Sequence, residues 1–368
     1  MPSRLTRSLQ TGLNSCEYEV KTANMNVKKI FLTVDTECHD IQKLNRYIYG
    51  NTKKGPYGLE KILQLGKETN VPINIFLDFP ECHVYGDDYL LTIIELVKKY
   101  EQNIYLHVHP DYIGDPKRKH LWEYSKDEQK KILKQSFSDY IRFCGKPQVL
   151  YFRAGAWGVN KDTYDVLSEL SEEFEINEIV DLSYVYNSRW RCHLSYEEYG
   201  AANASRKYNG ITLFPNTTYI GLDYFGKKYS FEFAVPNKSL AESKSFLRQN
   251  QLNNITYTMH SWDFIKRWFF LPDVLGGDDL QIKQFKKCVD YARRNGYEFY
   301  DLHQYSFFEE EDQCLNLCTG IIGKAKCLWY NYLRFADIGR SFKKYAPLYF
   351  LPYLFLFVLV IIILIIIS

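Results

Sequence analysis

The sequence predicts an α/β domain of parallel strands with helical crossovers, followed by one membrane-spanning helix at the C-terminus. Three observations carry this reading. Short β-rich apolar runs alternate with longer amphipathic stretches from Lys29 to about Tyr305, the pattern that parallel strands and crossover helices leave in a sequence. Charged or imidazole residues stand at the ends of the strand-like runs. Residues 345–367 then pass without a single charge.

In chain order, Ile30–Val34 is the first strand and Leu59–Lys67 a helix. Ile73–Leu77 is the second strand, and Asp87–Lys99 a helix with Leu90, Ile94 and Val97 on one face. Ile104–Leu106 is the third strand. The next helix opens with Ser125 and Glu128, whose spacing is that of a capping box. It repeats Leu133, Phe137 and Ile141 at helical spacing, and Gly145 with Pro147 ends it. Val149–Phe152 is the fourth strand, Asn160–Phe174 a helix, and Ile179 with Val180 begins a fifth strand. A Tyr-rich stretch, 184–229, reads as irregular apart from a strand at Ile211–Phe214. Ile255–Met259 is a strand, Leu280–Asn295 a helix and Tyr297–Leu302 the last strand. The domain therefore spans 28–306, between a polar segment at 1–27 and a helical, interfacial connector at 307–344. No internal repeat is present.

Composition narrows the function classes. Charged residues are 24% and hydrophobic residues 46% of the chain, a balance that fits a folded domain rather than a disordered one. A formal net charge of +2 gives no electrostatic reason to expect a nucleic-acid partner. The 9 cysteines are scattered and follow no secretory signal, so free thiols in a reducing compartment are expected. The 23 uncharged residues 345–367 make about 34 Å of helix, enough to cross a ~30 Å hydrocarbon core. Arg340, Lys343 and Lys344 precede them, which leaves the main domain on the cytoplasmic side of a single-pass, C-terminally anchored protein.

The chemistry sits at the strand ends. Asp35 and Glu37 follow the first strand, His107 the third, Arg153 the fourth, Asp181 the fifth and His260 the strand at Ile255. In parallel α/β barrels the strand C-termini converge on one mouth, so these residues are candidates for a metal site with an acid and a base around it. His39, His83 and His120 lie near polar turns and read as surface residues.

Five segments resemble, in order, the motifs of the polysaccharide deacetylase family, the NodB-like carbohydrate esterases. Thr33-Val-Asp-Thr-Glu37 is similar to the first, and His107-Val-His-Pro-Asp111 to the second, metal-binding motif. Arg153-Ala-Gly-Ala-Trp157 resembles the third, Arg-x-Pro-x-Trp. Asp181-Leu-Ser183 stands for the fourth, and Met259-His260-Ser-Trp-Asp263 for the last. The resemblance covers roughly residues 28–306. It implies a distorted (β/α) barrel that removes an acetyl group from an N-acetylated sugar with a divalent metal, zinc first, with cobalt, manganese or nickel as alternatives. Under it Asp35 is the general base toward a metal-activated water. Glu37 and His107 are metal ligands, with the third from His109 or Asp111. His260 protonates the leaving amine, Arg153 orients Asp35, and Trp157 walls the acetyl pocket.

The chain departs from the family pattern at three places. Thr36 separates the two acidic positions of the first motif, Asp111 stands where the second motif has its later histidine, and Gly155 replaces the proline of the third. Membrane tethering points to a lipid-linked or glycan-precursor substrate. The competing reading is a non-catalytic sugar-binding or scaffold protein of the same fold in membrane glycan assembly.

Overall fold

The computed structural model describes residues 27–186, 191–224, 227–234, 240–267, 274–307 and 311–341, with Phe357 and Ile361 beyond them. The first strand, β1 (Lys28–Thr36), is buried on both faces over most of its length. That is what its unbroken Ile-Phe-Leu-Thr-Val run requires. Four parallel strands follow it outward in sheet order: β2 (Asn74–Asp78), β3 (Asn103–Val108), β4 (Val149–Ala154) and β5 (Glu178–Asp181). Beyond β5 lie β6 (Arg206–Tyr208) and β7 (Ile211–Leu213), which pair antiparallel with each other, and β7 runs parallel to β5. A hairpin, β8 (Thr218–Tyr224) with β9 (Lys227–Glu232), stands off the main sheet. On the other side of β1, β10 (Asn254–His260) pairs in parallel along seven residues.

The sheet curls into a barrel without a continuous ladder at its seam. Thr217 and Thr256 each donate a backbone N–H to the other's hydroxyl, at 2.7 and 2.9 Å, and one bridge links Ala234 to Thr258. At the bottom, β11 (Tyr297–Phe299) pairs with Lys28–Ile30 while β2 takes Thr33–Thr36. Asn74 spans the parting: its amide donates to Leu32 O at 2.9 Å and its oxygen accepts from Leu302 N at 2.8 Å.

Helices α1 (Leu59–Thr69), α2 (Asp87–Lys99), α3 (Lys126–Cys144), α4 (Lys161–Glu173), α5 (Leu240–Gln249) and α6 (Asp279–Arg294) accompany the sheet. The Ser125–Glu128 capping box forms as predicted, Ser125 N donating to Glu128 Oε2 at 2.9 Å. The helix ends at Gly145, whose φ of +85° a β-carbon would oppose. The larger apolar core includes Leu32, Val34, Ile75, Leu106 and Phe152 from the strands and Leu63, Ile93, Leu133 and Leu167 from the helices. A second, smaller core fills the barrel: Phe31, Phe76, Tyr105, Tyr151, Val180, Leu182, Phe214 and Leu302.

Two stretches depart from the sequence expectation. The 184–229 region holds the expected strand at Ile211–Leu213 (β7) but is less irregular than expected elsewhere, since it also contains β6 and most of the β8–β9 hairpin. Helix α5 was not expected, because small and polar residues (Glu242, Ser243, Ser245) occupy much of its buried face beside Phe246 and Leu247, leaving little apolar periodicity. In the connector, α7 (Gly320–Ser341) is helical and docks through Asn331 Nδ2 on Gly221 O at 3.2 Å. No helix among the described residues is long and apolar enough to cross a membrane. The expected span at 345–367 lies outside the described residues apart from Phe357 and Ile361, as does the polar segment apart from Val27. The cysteines among the described residues are all free.

Candidate metal centre and active site

Side chains alternate across a strand, and that alternation builds the site in two storeys. Phe31, Phe76, Tyr105 and Tyr151 point into the barrel and form an aromatic floor. Two residues further along the same strands, Thr33, Asp78, His107 and Arg153 repeat that phase, and Asp35 follows Thr33. All of them are buried. Polar groups in that position require partners, and Thr33, Asp35, His107 and Arg153 find them largely in one another.

Arg153, fully buried, donates Nη1 to Asp35 Oδ1 at 2.5 Å and Nη2 to Thr33 Oγ1 at 3.0 Å and Asn216 Oδ1 at 3.4 Å. Its guanidinium rests on the Phe76 ring at 4.3 Å. Asp35 is thus fixed on one oxygen, and the β1–β10 register sets it opposite His260. His260 is the more open of the two. Its ring stacks on Trp262 at 4.7 Å, with Nδ1 4.0 Å from Asp263 Oδ2.

Beside this pair, ligand atoms of Glu37, His107 and His109 lie within 4.8 Å of one another. His107 Nδ1 lies 3.0 Å from the Arg153 carbonyl. A carbonyl only accepts, so Nδ1 carries the proton and Nε2 turns toward Glu37 Oε2, 3.3 Å away. His109 Nε2 lies against the same oxygen. That nitrogen is buried and makes no hydrogen bond of acceptable geometry. Burial works against charge on Glu37, yet the charge of His109 and the close approach of the His107, His109 and His39 imidazoles hold its carboxyl well below the usual range. Burial likewise opposes charge on His109, but Glu37, with Asp78 and Asp111 behind, pushes it up to about 10. A proton on His109 meets its contact with Glu37 as an ion pair. A divalent cation would meet that contact and the His107 lone pair together. Two imidazoles and a carboxylate, one imidazole locked in its tautomer by a carbonyl, form a donor set that fits zinc and its neighbours.

Asp111, the alternative third ligand, is not part of this cluster. Its carboxylate pairs with Lys119 at 2.5 Å, and its nearer oxygen is 3.9 Å from His109 Nδ1. Asp181 is also apart. It is one residue out of phase with Val180 on the barrel lining, and it accepts from Ser183 Oγ at 2.5 Å and from Tyr164 of α4 at 3.0 Å. Burial raises its pKa to about 6 against the bonds from Ser183 and Tyr164 and the charge of Arg153. Trp157 sits on an unusual backbone: Ala156 and Trp157 both take left-handed conformations, φ +48° and +56°. Its indole is buried with Nε1 unpartnered, and Arg191 lies over the ring at 4.5 Å.

Gly155, where the resembled motif has proline, lies against His109. A β-carbon there would stand 2.6 Å from ring atoms of His109, so the space that a proline would fill is taken by the imidazole.

Two residues outside the expected set belong here. Asp78 Oδ1 accepts the His109 N–H at 3.0 Å, and burial raises this carboxyl to about 7. Its signal was present in the sequence, since it ends the second strand as Asp35 nears the end of the first. His39, read as a surface residue, reaches Glu37 Oε1 at 3.4 Å.

Fold and site together define a curled α/β sheet with a candidate metal centre at its strand ends, beside the register partners Asp35 and His260. No family model matches the chain, and no curated protein sequence matches it at a significant level. Among solved structures it is similar to the chitin deacetylase of Colletotrichum lindemuthianum, 14% identical, covering 74% of this chain and 84% of that one at a TM-score of 0.37. It is also similar to a family 4 carbohydrate esterase from Bacillus anthracis (15% identical, 75% and 81% covered, TM-score 0.36). A maltose-forming amylase from a Pyrococcus species is similar as well (12% identical, 76% and 48% covered, TM-score 0.47).

Proposed function

We propose that this protein is a metal-dependent hydrolase that removes an acetyl group from an N-acetylated sugar. One observation carries the reading: the Glu37–His107–His109 cluster lies beside the buried Asp35–Arg153 pair, and His260 stands across the strand from Asp35. Glu37, His107 and His109 would hold the ion. When bound, it supplies Lewis-acid polarisation of the acetyl carbonyl and an acidified water.

The remaining steps belong to the chain. Arg153 grips Asp35 Oδ1, presenting the carboxylate to take a proton from the attacking water. As the carbonyl carbon gains its C–O bond and the C–N bond breaks, His260 donates a proton to the departing amine nitrogen. Acetate and the free amino sugar leave. Trp157 contributes an apolar wall at the mouth, which suits a methyl group and excludes water.

In this reading the uncharged stretch 345–367, with Arg340, Lys343 and Lys344 before it, tethers the domain to the cytoplasmic face of a bilayer. It meets a lipid-linked sugar or a glycan precursor there.

The test uses the full-length chain and its His107→Ala variant. About one tightly held zinc or similar ion per chain, lost in the variant, with acetate released from N-acetylated sugars, supports the proposal. A folded wild type that takes up no metal and releases no acetate points instead to the sugar-binding reading. Fractionation of the full chain against one ending at 344 tests the tether, which fails if both stay soluble.

A further inference from the structure

The peptide between Glu37 and His39 is held from three sides. Cys38 N donates to the buried Glu81 Oε1 at 2.5 Å, and Cys38 O accepts from Tyr85 at 2.8 Å and from Tyr112 at 3.1 Å. Glu81 is itself fixed by the Tyr89 hydroxyl at 2.6 Å. The two side chains on either side of Cys38 therefore leave from a backbone with little freedom. Glu37 turns inward, and its Oε2 faces His107 and His109. His39 lies at the surface, with 46% of its side chain exposed, yet its ring is not loose. It meets Tyr47 edge-on at 5.2 Å, Trp262 at 5.5 Å and His109 at 6.0 Å. In that position its Nε2 lies 3.4 Å from the other Glu37 oxygen, Oε1.

A carboxylate that binds an ion through one oxygen needs its second oxygen held, or the group rotates and the affinity falls. We propose that His39 is a positioning residue of the metal centre, holding Glu37 Oε1 so that Oε2 stays turned toward His107 and His109. This rests on the metal reading above. It also gives the half-exposed, aromatic-walled ring a reason to face the carboxylate rather than solvent. Asp111, the neighbouring acid, is engaged by Lys119 instead.

Cobalt(II) titration of the full-length chain tests the assignment, by competition with a chelator and by the visible absorption of the bound ion. His39→Ala is expected to bind cobalt roughly 10- to 100-fold more weakly, the usual effect of losing a hydrogen-bonding partner behind a ligand. The visible spectrum should keep its shape, because the ligand set is unchanged. His39→Gln, which retains an N–H at similar reach, should recover most of the affinity. Unchanged affinity in His39→Ala, equal weakness in His39→Gln, or a spectrum that reports a changed coordination number would each overturn the proposal. A folded wild type that binds no cobalt would overturn the metal reading beneath it instead. Circular dichroism on each variant separates these results from loss of fold.

Discussion

Breaking the Arg153–Asp35 pair from the arginine side is expected to destabilise the fold by about 3–5 kcal/mol, the cost of leaving a buried charge without its partner. The structure gives reasons to expect the full effect. Arg153 is fully buried and Asp35 is 3% exposed, so water cannot take over. The guanidinium also serves Thr33 and Asn216 and lies on Phe76. Arg153→Met fills much of the same volume and keeps the cavity contribution small. For a domain with about 5–15 kcal/mol of total stability, that loss leaves a folded but much weakened protein, readable as a fall in the denaturation midpoint. The second variant, Asp35→Asn with Arg153→Met, removes both charges. It should recover about 2 kcal/mol or more relative to the sum of the two single changes, within the coupling range for contacting residues. Additive losses, or an Arg153→Met loss below about 1 kcal/mol, would refute the argument that burial leaves each charge of this pair dependent on the other.

Further outcomes follow from the same geometry. Asp111→Asn should leave cobalt affinity within about threefold of wild type, because Asp111 is bound to Lys119 outside the cluster; a loss as large as that of His107→Ala would restore it as a ligand. Asp181 has a folded-state pKa raised to about 6, above its unfolded value, so the folded state holds the extra proton between about pH 4 and 6. Its contribution to stability is therefore fully present below about pH 4 and declines as pH rises to about 6, by about 3 kcal/mol. Melting curves of wild type and Asp181→Asn across that window should diverge accordingly, and parallel curves would contradict the burial argument. Ser125→Ala should cost about 1 kcal/mol through loss of the α3 cap, read from the denaturation midpoint.

Much of this architecture was legible from local pattern. The buried strands announced themselves as unbroken apolar runs, and Ser125 with Glu128 marked the start of α3 because capping is a local matter. The strand-end residues Asp35, Glu37, His107, Arg153 and His260 were legible as a set, since parallel strands bring their C-termini together. What failed was phase and pairing. Asp181 and Val180 are adjacent, and nothing short of the barrel's curvature says which of them faces inward. Asp111 and His109 were equal candidates in the sequence; the fold groups His109 with Glu37 and His107 and pairs Asp111 with Lys119, a residue whose position the motif does not reveal. His39 looked like a turn residue, because the hydrogen bonds that fix Cys38 come from Glu81, Tyr85 and Tyr112, far along the chain. Helix α5 was invisible because Glu242, Ser243 and Ser245 share its buried face with Phe246 and Leu247, which leaves little apolar periodicity.

The contact between position 155 and the His109 ring couples two positions that lie far apart in the sequence. The imidazole stands where the side chain at 155 would begin. A larger residue at 155 would displace the ring that faces Glu37, while a smaller residue at 109 would leave a hole beside the glycine. Substitutions at the two positions are therefore expected to be epistatic, each tolerated better in the company of a compensating change at the other.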